Sequence, residues 1–152
     1  MLEIKEKQEL SVNNVFSYRG KIRQMELEDI LKDMESKIQE LGTIRNSNPI
    51  TATYGMAGDY IDIEILLPID KPVQNIGSYV FKNKVQIVNA VVASYQGHPG
   101  GLQKACDQLN QYIMENQLQP ITVGYNVTKQ LDTANIEKTE IDVYVGISPN
   151  IL

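Results

Sequence analysis

Val15-Phe16-Ser17-Tyr18-Arg19-Gly20 and Val92-Ala93-Ser94-Tyr95-Gln96-Gly97 are one phrase written twice: a β-rich run ending in tyrosine, one residue, then glycine. Repetition on this scale marks an internal duplication, and overlooking it leads to a wrong fold. Both glycines read as strand exits. Outward from each phrase comes a helical period. In the first copy Leu27, Ile30, Leu31, Met34, Ile38 and Leu41 recur at three and four residues, with Glu26, Glu28 and Asp29 where a helix N-terminus favours negative charge and Gly42 to close the helix. In the second copy Leu102, Ala105, Cys106, Leu109 and Ile113 repeat the spacing, and Pro99 to Gly101 opens it.

After each helix stands a matching strand phrase, Pro49-Ile50-Thr51-Ala52-Thr53-Tyr54-Gly55 against Pro120-Ile121-Thr122-Val123-Gly124-Tyr125-Asn126. Each copy then closes on an alternating strand, Asp62 to Ile69 and Glu140 to Ile147. Strand, helix and a hairpin of two strands occur in the same order twice. This predicts an α+β chain of duplicated β-α-β-β units forming one antiparallel sheet, with two helices on one face and a cleft on the other. The whole chain, 1–152, reads as a single domain, with repeat one at about 9–70 and repeat two at about 79–148. Asp70 to Ser78 is the connector, Tyr79 to Tyr95 a long or bulged strand pair, and the polar run Asn126 to Thr139 a long hairpin loop.

Composition narrows the function classes. With 152 residues, 42% hydrophobic and 22% charged, the chain is long enough to bury a core without disulfides or metals. One Cys and one His cannot supply a disulfide or a four-ligand zinc site. A net charge of -5, with Lys and Arg interleaved among acids, leaves no basic footprint for nucleic acid. Apolar runs such as Ile63 to Pro68 are strand-sized, so no membrane span is expected, and the charged N-terminus lacks the apolar run of a secretory signal. A cytoplasmic location follows. Without that signal, the acceptor pattern Asn126-Val127-Thr128 is idle. No cofactor is implied.

Period-two alternation sorts the final strands into faces. Ile63, Ile65, Leu67 and Ile69 point one way and Asp62, Glu64 and Leu66 the other; Ile141, Val143, Val145 and Ile147 oppose Glu140, Asp142 and Tyr144. With the aliphatic rows under the helices, the acidic rows face the cleft, and Glu64 and Asp142 become counterparts. Eight Tyr with two Phe and no Trp is an unusual balance, and a rigid ring with a polar tip suits a half-wet cleft. Tyr144, Tyr18 and Tyr95 are the candidates for that role. Tyr54 and Tyr125 read as ordinary strand residues. His98, in Gly97-His98-Pro99-Gly100, reads as a surface residue in a turn, and Cys106 as core.

The phrases VVASYQGHPGGLQKACDQLNQYI, QPITVGYN and EIDVYVGIS, in this order and with the weaker first copy, resemble the GyrI-like effector-binding superfamily of gyrase inhibitory proteins and multidrug-responsive regulators. The resemblance implies a pseudo-twofold sheet and a cleft that takes hydrophobic, often cationic, small molecules. It places the carboxylate presented to ligand at Asp142 and, by symmetry, at Glu64. Asp stands where the family more usually has Glu and reaches less deeply, which favours Glu64. The ligand set expected is therefore Glu64, Asp142, Tyr144, Asp62, Tyr18 and Tyr95, with no catalytic and no metal residue. The function expected is that of a stand-alone, non-catalytic binding or sensing protein for a lipophilic, cationic small molecule. Two alternatives stand beside it: a small hydrolase using the cleft carboxylates, and a protein-protein interaction module of a secretion or toxin system. A homodimer is compatible on general grounds.

Overall fold

The computed structural model describes residues 2–131 and 134–149. Eight elements follow one another: β1 (Leu2–Arg23), α1 (Leu27–Glu40), β2 (Ile50–Ala57), β3 (Tyr60–Pro68), β4 (Val80–Gln96), α2 (Leu102–Glu115), β5 (Pro120–Gln130) and β6 (Glu140–Ile147). The order β-α-β-β occurs twice, every strand pairing described below is antiparallel, and the fold is α+β, as the sequence leads one to expect. Two of the boundaries expected from the sequence differ. Where Tyr79 to Tyr95 is expected as a strand pair, Val80–Gln96 is one strand, and Asn126 to Gln130 continues β5 where a loop is expected. Val127 and Thr128 are pleated opposite Asp142 and Ile141, so partners across the hairpin outweigh a polar local composition.

The chain divides into two compact units, Ser11–Val85 and Met1–Leu10 with Gln86–Leu152. The long strands β1 and β4 each contribute to both. In β1, Lys7 and Asn14 take left-handed φ of 57° and 56° on either side of the division.

In the unit Ser11–Val85, β3 lies between β1 and β2. Register places Phe16 opposite Leu67, Tyr18 opposite Ile65, Gly20 opposite Ile63 and Ile22 opposite Ile61, so these eight side-chain positions share one face. Helix α1 covers that face with Met34 and Ile38, both fully buried. Burying side chains of this size stabilises the fold by roughly 1.5–3 kcal/mol each. The helix ends where Gly42, at φ 82°, lets Thr43 donate to the Ile38 carbonyl (2.9 Å) and Gly42 to that of Gln39 (3.0 Å).

In the other unit, β6 lies between β4 and β5. Val91, Ala93, Val143, Val145 and Ile147 form the aliphatic face, covered by Leu109 and Ile113 of α2 with Leu2 and Ile4 of β1 at its margin. Cys106 packs against this core, and burial pushes its thiol pKa up. The Tyr112 hydroxyl donates to Glu6 (2.5 Å), tying α2 to the first residues of β1.

Gly97 stands just past the end of β4 at Gln96, as the sequence leads one to expect, whereas Gly20 ends no strand; both glycines also make room for a tyrosine ring. Gly20 is interior to β1, and the Tyr18 ring lies along the strand across it: a Cβ at Gly20 would stand 2.9 Å from Tyr18 Cζ. Tyr95 lies over Gly97 in the same way, with its hydroxyl 2.7 Å from the position of a Cβ. Residues two apart on a strand share a face, so a glycine there gives an aromatic ring room to fold back.

Candidate functional site

The acidic rows lie on the faces away from the helices, yet those faces are not wet. Glu64 is 8% exposed, Asp142 9% and Leu66 1%, while Asp62, Glu140 and Tyr144 are half-buried. An isolated buried carboxylate is costly, so each needs a counter-charge or hydrogen bonds.

In the unit Ser11–Val85, register sets Arg19 and Ala52 on either side of Glu64, and Lys21 and Gly55 on either side of Asp62. The pairing of β2 shifts by one residue between Thr53 and Gly55, which leaves Tyr54 as the bulged residue. A bulge re-aims a side chain. Here the Tyr54 hydroxyl donates to Glu64 Oε1 (3.0 Å), and Lys82 Nζ, from the start of β4, donates to Oε2 (3.1 Å). Alongside, Arg19 grips Asp62 with two bonds, Nε to Oδ1 (3.0 Å) and Nη2 to Oδ2 (3.2 Å), and its guanidinium lies 3.5 Å above the Tyr54 ring. The hydrogen bond from Arg19 holds the Asp62 carboxyl below its ordinary pKa, and Asp62 raises that of Arg19.

The other unit arranges its carboxylate differently. Asp142 has Ser94 and Val127 beside it, Glu140 has Gln96 and Gln130, and Tyr144 has Val92 and Tyr125. The β5 pairing shifts between Thr128 and Gln130, and the extra residue, Lys129, brings Nζ to 3.7 Å from Asp142 Oδ2. A cavity of 290 Å³ opens beside this pair, lined by Glu3, Ser94, Gln96, Lys129, Glu140 and Asp142 and bordered by Tyr95. Its lining carries three carboxylates and one ammonium, and Lys5 stands 3.7 Å from Glu3. Burial, and then the Asp142 charge, push the Tyr144 phenol above its ordinary pKa, so it stays a neutral hydroxyl at neutral pH.

The expected ligand residues thus fall into three groups. Asp142 lines the cavity, with Tyr144 two residues along on the same face. Glu64 and Asp62 belong to the Arg19–Tyr54–Lys82 network of the other unit. Tyr18 and Tyr95 are on the helix faces: Tyr18 stands opposite Ile65 and packs edge-on against Tyr79 (centroids 6.0 Å apart), and the Tyr95 hydroxyl donates to the His98 carbonyl (2.7 Å). His98 is exposed, and its Nδ1 accepts from Gly100 N–H (2.9 Å), capping the turn into α2. Sequence reasoning misses Arg19, Tyr54, Lys82 and Lys129. Arg19 is legible in retrospect, since it alternates with Ser17 and Lys21 on the face of the acidic row. The bulges that aim Tyr54 and Lys129 carry no local signature. Tyr54 and Tyr125, matched in sequence, are not matched in place, because Tyr54 reaches Glu64 whereas Tyr125 stands opposite Tyr144.

Helix-covered antiparallel strands with carboxylates on the uncovered face define a small duplicated α+β architecture. The same fold occurs in solved structures of low sequence identity. The chain superposes on the EcmrR C-terminal domain with a TM-score of 0.77 at 14% identity, covering 97% of each chain. On EcmrR in its DNA complex the TM-score is 0.74 at 16% identity, with 97% of this chain matched to 57% of that one. SAV2435 bound to tetraphenylphosphonium matches with a TM-score of 0.57 at 11% identity, covering 98% of this chain and 94% of that one. The sequence matches no protein-family model and no curated protein. Among the described residues no helix is long and apolar enough to cross a membrane, and no group of three or more metal-ligating side chains occurs.

Proposed function

We propose that this chain binds a small organic cation in the cavity beside Asp142. The observation that carries this reading is the charge of the cavity lining: Glu3, Glu140 and the buried Asp142 with Lys129, and with Lys5 placed 3.7 Å from Glu3. Its 290 Å³ lies at the lower end of small-ligand sites, roughly 300–1,000 Å³. A protein of the same fold, SAV2435, has been solved with a lipophilic cation bound, which supports the ligand class. Glu64 is the lesser choice in this reading, because Tyr54 and Lys82 already stand on both of its oxygens.

The test is equilibrium dialysis with tetraphenylphosphonium and with a smaller quaternary ammonium ion. Asp142→Asn should weaken binding about tenfold, equivalent to roughly 1.4 kcal/mol, and Glu64→Gln should leave it within twofold. Failure of both probes to bind, or equal loss in the two variants, would refute the assignment.

A further inference from the structure

We infer that Lys129 is a tethered competitor for the cation site: its ammonium holds the ligand's charge position when the cavity is empty and leaves when an organic cation enters. The inference rests on the cation reading above. It starts from Asp142, which is 9% exposed and would be costly to leave as a lone charge. Lys129 is its counter-charge, but a loosely held one. The Nζ to Oδ2 separation of 3.7 Å is longer than a hydrogen bond, and the lysine side chain is 57% exposed against 12% for the aspartate. A lysine ammonium is a compact, strongly hydrated charge on a flexible four-carbon stem, so rotating it into water costs little. Asp142, anchored on β6 between Ser94 and Val127, has no such freedom.

The consequence is exchange of one cation for another at nearly constant local charge. An entering organic cation recovers the attraction of Asp142 only by displacing Lys129, and both cannot stay without repelling each other. Lys129 thereby sets the affinity threshold and the selectivity for charge. The unit Ser11–Val85 has a related pair in a tighter form, with Lys82 donating to Glu64 at 3.1 Å and its side chain 42% exposed. There the phenol of Tyr54 takes the second oxygen; beside Asp142 the space is a cavity.

Lys129→Met keeps the stem and removes the charge; Lys129→Arg keeps the charge and adds a planar fork that matches a carboxylate. Tetraphenylphosphonium should bind Lys129→Met about tenfold more tightly than the unchanged protein and Lys129→Arg more weakly. The gain from Lys129→Met should vanish in the Asp142→Asn background. As a second readout, reductive methylation of Lys129 followed by mass spectrometry should accelerate when the protein is saturated with tetraphenylphosphonium. If Asp142→Asn loses binding while Lys129→Met binds no better than the unchanged protein, the competitor role is overturned and the cation site stands. If neither the unchanged protein nor Lys129→Met binds the probe, the cation site and the competitor role fall together.

Discussion

Gly20→Ala is the substitution that tests the repeated phrase most directly. Gly20 sits within β1 on the face covered by α1, opposite Ile63, with the Tyr18 ring folded across it. A methyl group there would lie 2.9 Å from Tyr18 Cζ and nearer still to the hydroxyl. Such separations are well inside van der Waals contact, so the ring or the strand must move. The ring is not free to yield, because its edge packs against Tyr79, whose hydroxyl bonds Asp33 of α1. Overpacking of this kind costs roughly 1–3 kcal/mol. Alanine returns about 0.4–1 kcal/mol by restricting the unfolded chain. The net expectation is a loss of about 1–2 kcal/mol, which with a urea slope near ~2 kcal/mol/M lowers the unfolding midpoint by about 0.5–1 M. The mechanism is specific enough to be isolated by a double-mutant cycle. With Tyr18→Ala in place, Gly20→Ala should become neutral or slightly stabilising, giving a coupling of about 1–2 kcal/mol. An equal cost in both backgrounds, or no cost in either, would refute the reasoning.

Two further outcomes follow from local geometry. Helix α2 ends like α1, with Leu118 donating to Ile113 (3.0 Å) and Gln117 to Met114 (3.2 Å), but the left-handed residue is Gln117 at φ 55° where α1 has glycine. Gln117→Gly should stabilise by about 0.5–1 kcal/mol, read as a rise in the urea midpoint; a fall would show that the Gln117 side chain makes a compensating contact. Burial, and then the Asp33 hydrogen bond, push the Tyr79 phenol above its ordinary pKa. The folded chain therefore keeps a proton that an unfolded tyrosine releases near about pH 10, so this contribution is complete below that pH and is lost as pH rises through the folded value. Tyr79→Phe should flatten the decline of the urea midpoint above pH 10, with Tyr144 and Tyr112, whose pKa values are also raised, leaving a residual slope. A slope identical to that of the unchanged protein would count against the assignment.

The helices were legible because their signal is local. Met34 and Ile38, Leu109 and Ile113 recur at helical spacing, and Gly42 marks a helix end whatever lies around it. The faces of β3 and β6 were legible for the same reason, since alternation at period two needs no knowledge of the partner strand. Register does need that knowledge. Whether Lys129 or Tyr125 reaches Asp142 depends on where β5 bulges against β6, and Tyr54 meets Glu64 only because β2 bulges against β3. Arg19 and Asp62 are forty-three residues apart and meet only through strand pairing.

By itself the sequence determined the duplication, the element order, the apolar rows that the helices cover and the carboxylates on the opposite faces, because propensity, periodicity and composition act over a few residues. Tertiary structure alone decided that Glu64 and Asp142 are buried, that Lys82 of β4 answers the first and Lys129 of β5 the second, and that the cavity opens at Asp142. These depend on pairing register and on which groups water can reach, and both are set by contacts between residues distant along the chain.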